Sequence, residues 1–256
     1  MSSNTIIAAS VPQPRIAGAL LSENTRLDLL PDGAPGQRLF KIKSAVSRGV
    51  RRSAEGLLRH RYAWRGYHAV SLPEDQTVNR ITLTALEADA TIGTITVSLD
   101  GPDGLAADDV FGPELAQLRA EGRRLCEFTK LAIDPIASSK RVLAGLFHVA
   151  YVVAHRMRKF DTILIEVNPR HVRYYERVLG FHVVGQERLN RRVNAPAVLL
   201  MADFDYIREQ IGTFGGRPEL AATERSLYPH FFSLKEEAGI ITRMMQAQRA
   251  ASPHIN

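Results

Sequence analysis

One glutamate lies inside an otherwise strand-like, largely apolar run of the sequence. Leu125–Ile133 is rich in apolar and β-compatible residues and ends at an Asp-Pro pair, where proline lacks the amide that a sheet needs. On a pleated strand Glu127 shares a face with the other odd-numbered, mostly apolar positions of this run, and a carboxylate there needs a specific role. Because burial raises the pKa of a carboxyl group, Glu127 could take a proton from a substrate, directly or through water. The alternative is a structural glutamate paired with Arg123 or Arg124.

A second polar group opens the helix that we predict after this strand. It consists of Ser138, Ser139, Lys140 and Arg141. Free amides at a helix N-terminus, together with a nearby cation such as Lys140, can hold a phosphate group. The alternative is that Ser138 is simply the N-cap of the helix.

A third polar group, Asn168, Arg170 and His171, follows the next predicted strand and precedes Tyr174 and Tyr175. Arginine suits the paired hydrogen bonds of a carboxylate or a phosphate, so this segment could bind an anionic substrate. The histidine could bind the same substrate or only cap a helix.

The elements that carry these residues form a βαβ unit. Apolar residues recur at helical spacing from Val142 to Met157, between strands at Leu125–Ile133 and Thr162–Val167, and such strands are normally parallel. The unit belongs to a longer series of predicted elements. Strands are expected at residues 38–43, 79–86, 91–99, 182–186 and 193–204, and helices at residues 44–62, 108–121 and 234–249.

Three segments, read in order, resemble a known family. The segments EFTKLAIDP, VNPRHVRYYERVLGF and RRVNAPAVLL are similar to those of the long-chain N-acyl amino acid synthases, GNAT-fold relatives of the acyl-homoserine lactone synthases. The second segment also resembles the acetyl-CoA-binding motif B of the GNAT acyltransferases. The resemblance covers roughly residues 40–204. It implies an α/β fold, a mixed sheet flanked by helices, with an inserted helix at residues 108–121 and a C-terminal helical extension.

The resemblance implies an N-acyltransferase that joins an acyl thioester to the α-amine of an amino acid. It gives Glu127 the position of an acidic residue facing the acceptor, and the backbone of Leu131, Ala132 and Ile133 the binding of the thioester and its pantetheine arm. A tyrosine of motif B often protonates the leaving thiolate. That tyrosine usually stands four residues before the glycine, which is Glu176 here, so either Tyr174 or Tyr175 could have this role.

The chain departs from the family pattern in the phosphate loop. GNAT enzymes that use coenzyme A usually have a glycine-rich loop there, whereas this chain has Ser138, Ser139 and Lys140. The acyl-phosphopantetheine of acyl carrier protein is therefore the expected donor, with acyl-CoA as the alternative. The sequence contains no cluster of cysteines and histidines at the spacing of a metal site, so no metal is expected.

Charge and composition agree with an acidic partner and a reducing compartment. The net charge is +6, and residues 168–194 carry six arginines against two glutamates. This charge suits an anionic partner, such as an acidic carrier protein, a phosphate-bearing cofactor, nucleic acid or an anionic membrane surface, and the alternative is a solvated basic face. The arginines are not interleaved with aromatic residues that could stack on bases, so nucleic acid is not the expected partner. A single cysteine, and no apolar run long enough for a membrane span, favour the cytoplasm. A lipid-like product would allow peripheral membrane contact.

The chain divides into three expected parts, and three other functions stay open. Residues 1–36 are expected to form a mobile tail with one short helix near residues 16–21, residues 37–210 the catalytic domain, and residues 211–256 an extension packed on it. The rivals are an acyl-CoA-dependent N-acyltransferase, an acyl-homoserine lactone synthase, and a non-catalytic module that binds an acidic carrier. The homoserine lactone synthases have characteristic N-terminal tryptophans, whereas Trp64 is the only tryptophan here.

Overall fold

One mixed sheet organises the computed structural model, which describes residues 5–12, 37–63, 71–72, 79–135 and 140–251. Within these residues the strand order is β1-β2-β3-β4-β5-β6-β8-β7. The strands are β1 Thr5–Pro12, β2 Gln37–Ser44, β3 Arg80–Glu87, β4 Ala90–Leu99, β5 Leu125–Ile133, β6 Thr162–Val167, β7 His182–Asn190 and β8 Ala195–Asp203. The helices are α1 Arg48–Ala63, α2 Asp108–Ala120, α3 Lys140–Tyr151, α4 Val172–Leu179, α5 Phe204–Phe214 and α6 Leu234–Ala251. A π-helical turn, Val152–Met157, continues α3.

The helices cover the two faces of the sheet. The residues of α3 from Val142 to Tyr151 are buried, and they pack with Phe128 of β5 and Ile163 of β6 on one face. On the other face α2 packs Phe111 and Leu115 against Leu125 of β5, Leu164 of β6 and strand β8. Each central strand therefore contributes alternate residues to two separate cores.

The predicted βαβ unit is present, and its two strands separate partway along their length. Strands β5 and β6 are parallel, with register from Leu125–Thr162 to Glu127–Leu164. Beyond this pair β5 continues to Ile133 and β6 to Val167. The gap between them opens at Glu127.

A bulge in β5 changes which residues share a face with Glu127. Opposite β4, Thr96 pairs with Thr129 and Thr94 with Ala132, so β5 contains one extra residue, and Lys130 has φ of +53°. Before the bulge Glu127 lies on the α2 face; after it, Leu131 and Ile133 pack with the α3 core. The expectation that Leu131 and Ile133 share the Glu127 face is therefore wrong, because a bulge reverses the alternation of a strand.

The N-terminal region differs from the expected mobile tail. Thr5–Pro12 forms β1 and pairs antiparallel with β2, from Thr5–Lys43 to Pro12–Gln37. The expected helix near residues 16–21 lies outside the described residues. An additional helix that we did not predict, α5, follows β8 directly.

The C-terminal helix α6 is joined to α3 by a buried polar cluster. The Glu237 carboxylate lies 3.0 Å from His148 Nε2 and 2.9 Å from an Arg156 nitrogen, and both His148 and Glu237 are buried. The Phe232 amide donates to His148 Nδ1 at 3.0 Å, so Nε2 carries the proton and donates to Glu237. Burial lowers the pKa of His148, which agrees with this neutral ring. None of the described helices has the length and apolar character of a membrane span.

Candidate active site

A cavity of about 360 Å³ occupies the gap between the ends of β5 and β6. Its lining comes from both faces of the sheet: Glu127 and Ala197 from the α2 side, and Phe147 and Tyr175 from the α3 side. Two reactants could thus approach from opposite faces and meet in the gap. The lining residues are Tyr62, Ile95, Ala106, Glu127, Phe128, Thr129, Lys130, Leu131, Phe147, Ile165, Glu166, Val167, Asn168, His171, Tyr175, Asn190, Arg192, Val193, Ala195, Pro196 and Ala197.

Glu127 lines this cavity and is 1% exposed. Its Oε2 accepts hydrogen bonds from the amides of Ala106 at 2.8 Å and Ala107 at 3.3 Å, just before α2. The same oxygen takes both bonds, which holds the carboxyl group while Oε1 remains available for a proton.

The alternative ion pairs that we considered for Glu127 are formed elsewhere. The Arg123 guanidinium binds the Asp203 carboxylate, and the Arg124 guanidinium donates to the Arg158 carbonyl at 3.1 Å and lies over the Phe160 ring. Within the described residues, neither arginine pairs with Glu127.

Burial raises the pKa of Glu127 from 4.5 to about 7, and the neighbouring Glu166 charge adds to the increase. The two amide hydrogen bonds and the Arg192 charge act in the opposite direction without cancelling it. At neutral pH the group is therefore divided between its acid and its base forms, the condition in which a carboxyl group exchanges protons most readily.

A polar cluster that the sequence reasoning missed lies beside Glu127. The Asn190 amide donates to Glu166, and Arg192 approaches Glu166 at 3.3 Å and Asp109 at 3.5 Å. Burial raises the pKa of Glu166, opposed by the Asn190 hydrogen bond and the Arg192 charge. The available signal was an acidic residue near the end of an apolar strand, the same signal that identified Glu127.

The two tyrosines of α4 have different positions. Tyr175 lines the cavity, with its ring centroid 6.5 Å from that of Phe147. Tyr174 packs beside it but does not line this cavity; its hydroxyl is buried and has no hydrogen-bond partner among the described residues. Burial raises the pKa of Tyr174 to about 12. Of the two candidates, Tyr175 is therefore the one whose side chain borders the cavity.

The three residues at the end of β6 are only partly brought together. Asn168 and His171 line the cavity, and the Asn168 side chain accepts a hydrogen bond from the Arg170 amide at 3.3 Å. Arg170 is exposed, and its Nε donates to His171 Nε2 at 3.3 Å. Asn168 thus caps the short turn that holds His171 at the cavity.

Some of the residues predicted to bind the thioester and the phosphate lie in the described part of the chain. Leu131 lines the cavity, and its carbonyl accepts a 3.4 Å hydrogen bond from the Tyr62 hydroxyl. Ala132 packs instead with α1, and Ile133 with the α3 core. Ser138 and Ser139 lie outside the described residues, while Lys140 and Arg141 begin α3.

A family model and one solved structure point to the same kind of enzyme. Residues 53–203 match the family described as N-acyl amino acid synthase FeeM. The structure of FeeM, an N-acyl amino acid synthase from uncultured soil microbes, is 27% identical and superposes with a TM-score of 0.59, covering 66% of this chain and 93% of that one.

Two other solved structures superpose less closely. A putative N-acetyltransferase from Lactobacillus plantarum is 18% identical with a TM-score of 0.46, covering 64% of this chain and 98% of that one. The acyl-homoserine lactone synthase LasI is 12% identical with a TM-score of 0.47, covering 65% and 91%. No curated protein sequence matches the chain.

Proposed function

The chain belongs to the N-acyl amino acid synthase family, and from this premise we propose that it joins an acyl group, carried as a thioester on acyl carrier protein, to the α-amine of an amino acid. The family match covers more than half of the chain. The predictions of a GNAT fold and of an acyltransferase are therefore confirmed. The donor, the acceptor and the residue roles below are our proposal.

The mechanism rests on one observation, the buried position of Glu127 at the cavity. Glu127 is a buried carboxyl group without an ion-pair partner among the described residues, it lines the cavity where β5 and β6 separate, and its pKa is about 7. An amino acid reaches the enzyme as an ammonium ion, which must lose a proton before its nitrogen can attack. Glu127 takes that proton, directly or through one water, as a general base.

The bond changes follow from this proton transfer. The amine nitrogen attacks the thioester carbon, the carbonyl electrons move to oxygen, and the C–S bond breaks as the carbonyl reforms. Main-chain amides near Leu131 stabilise the negative oxygen, and the Tyr175 hydroxyl supplies a proton to the departing thiolate. The second ammonium proton restores the Tyr175 hydroxyl, directly or through water, and Glu127 releases the first proton to solvent, so the products are an amide, a free thiol and one proton.

The exposed arginines of α4 support a carrier protein as the donor. Arg173 and Arg177 are one helical turn apart and exposed, and the exposed Arg170 precedes them, next to His171 of the cavity lining. Acyl carrier protein is strongly acidic as a class, so these charges would raise the encounter rate, most strongly at low salt. Such a reaction belongs in the cytoplasm, and its lipid-like product would allow peripheral contact with a membrane.

Lipid extracts of a bacterial host test the function and identify the substrates. Cells expressing the wild type should contain new N-acyl amino acids by mass spectrometry, and cells expressing Glu127→Gln should contain at least about tenfold less. With purified protein, acyl carrier protein and coenzyme A thioesters of one chain length then compete as donors. If folded wild-type protein yields no N-acyl amino acid with either donor, the proposed function is wrong.

A further inference from the structure

One lysine in the cavity has no part in the mechanism above. Lys130 lies in β5, three residues after Glu127, and lines the same cavity. It is the bulge residue, with a backbone φ of +53°. Residues other than glycine adopt this conformation only when the surrounding structure requires it. Bulges next to active sites redirect a side chain. Here the bulge places a cation beside the candidate base.

The Lys130 ammonium contacts no carboxylate directly among the described residues. Within the described part of the chain it forms neither an ion pair nor a hydrogen bond. Burial lowers its pKa, and the charges of Arg80 and Arg192 lower it further, against the attraction of Glu127. A partly buried cation among other cations gains most from an anionic ligand.

Arg192, a second cation in the described lining of the cavity, already has partners. Arg192 is held by Glu166 and Asp109, and the exposed Arg170 does not line the cavity. An amino acid bears one positive and one negative group, and the proposed reaction brings its ammonium to Glu127. Its carboxylate then needs a cation on the same side of the sheet gap.

We infer that Lys130 binds the α-carboxylate of the amino acid acceptor and so positions its amine at Glu127. This inference rests on the proposed function. It makes the enzyme select α-amino acids over amines that lack a carboxylate, since such amines would leave the Lys130 charge unpaired. It also places carboxylate recognition away from Arg170 and His171, for which the sequence had left a carboxylate, a phosphate or, for the histidine, a helix cap open.

The role of Lys130 in binding the acceptor carboxylate can be measured with a pair of acceptor substrates. The pair is the L-amino acid with the highest wild-type rate among the twenty, and its primary carboxamide, which keeps the amine and loses the negative charge. We expect Lys130→Gln to lower kcat/KM for the free acid by about 10- to 100-fold, mainly through KM, and to leave the carboxamide within about threefold of wild type. Lys130→Arg should recover part of the loss.

Lys159→Gln is the matched control, because Lys159 is also a lysine with positive φ, +63°, and lies outside the cavity. Equal losses for acid and carboxamide in Lys130→Gln would overturn the inference and make Lys130 a group that acts on the reaction or on folding. The inference would also fail if Arg170→Gln, and not Lys130→Gln, removed the preference for the acid. Wild-type protein that acylates no amine at all would contradict the proposed function instead, and the carboxylate site with it.

Discussion

Two buried glutamates show how differently one fold can treat the same side chain. Glu127 is 1% exposed and Glu237 is 2% exposed. Glu237 joins α6 to α3 through His148 and Arg156, whereas Glu127 binds two main-chain amides and lines a cavity. Burial alone therefore does not identify a reactive acid. What distinguishes Glu127 is that it forms no ion pair with any residue the structure describes, and that it lines a cavity open to a substrate.

The largest expected difference between the two glutamates is in activity. Glu127→Gln should lower kcat by about 10²- to 10⁴-fold, because the variant keeps the shape of the side chain but cannot accept a proton. Glu237→Gln should stay within about threefold of wild type. Steady-state kinetics with the preferred donor and acceptor measure both, and comparable losses in the two variants would remove the distinction.

Stability should show the opposite order. Glu237→Ala leaves the buried Nε2–H of His148 without an acceptor and Arg156 without its partner, and we expect the free energy of unfolding to fall by about 3 kcal/mol. Urea unfolding followed by circular dichroism measures it. The neighbouring Glu236 is exposed and, among the described residues, hydrogen-bonds with Ser233 alone, so Glu236→Ala should cost about 1 kcal/mol or less. If the two alanine variants lost equal stability, α6 would not depend on the buried cluster.

The smallest expected effect is on the pH dependence of stability, and it comes from Glu127. The folded state raises the Glu127 pKa from 4.5 to about 7, so it binds this proton more tightly than the unfolded chain does. Wild-type stability should therefore fall as pH rises from about 4.5 to about 7, by up to about 3 kcal/mol from this group. Glu127→Gln has no such loss. Its stability relative to wild type should increase between pH 5 and pH 8, and a constant difference would mean that the pKa is not raised.

The sequence predicted the central elements well because their signals are local. Strand β5, the helix after it and strand β6 follow from periodicity and from Pro at the ends of the apolar runs, and the motifs added the fold and the family. The bulge was not predictable in this way, because positive φ at Lys130 has no local marker such as the glycine that usually indicates it.

The other differences also come from contacts between distant parts of the chain. Thr5–Pro12 becomes a strand only by pairing with Gln37–Ser44. The Glu166, Asn190 and Arg192 cluster requires β6 to lie beside the β7–β8 hairpin. Glu127 was predicted as a buried acid, but its amide partners before α2 were not, since they depend on how α2 packs against β5.

The pH dependence of kcat/KM tests the central role of Glu127 most directly. For the wild type with the preferred donor and acceptor, kcat/KM should rise with pH through an apparent pKa of about 7 as the Glu127 carboxyl ionises. In Glu127→Gln this step should be absent, leaving only the ionisation of the acceptor amine at higher pH. A wild-type profile without a step near 7, or the same step retained in Glu127→Gln, would contradict the assignment of Glu127 as the base.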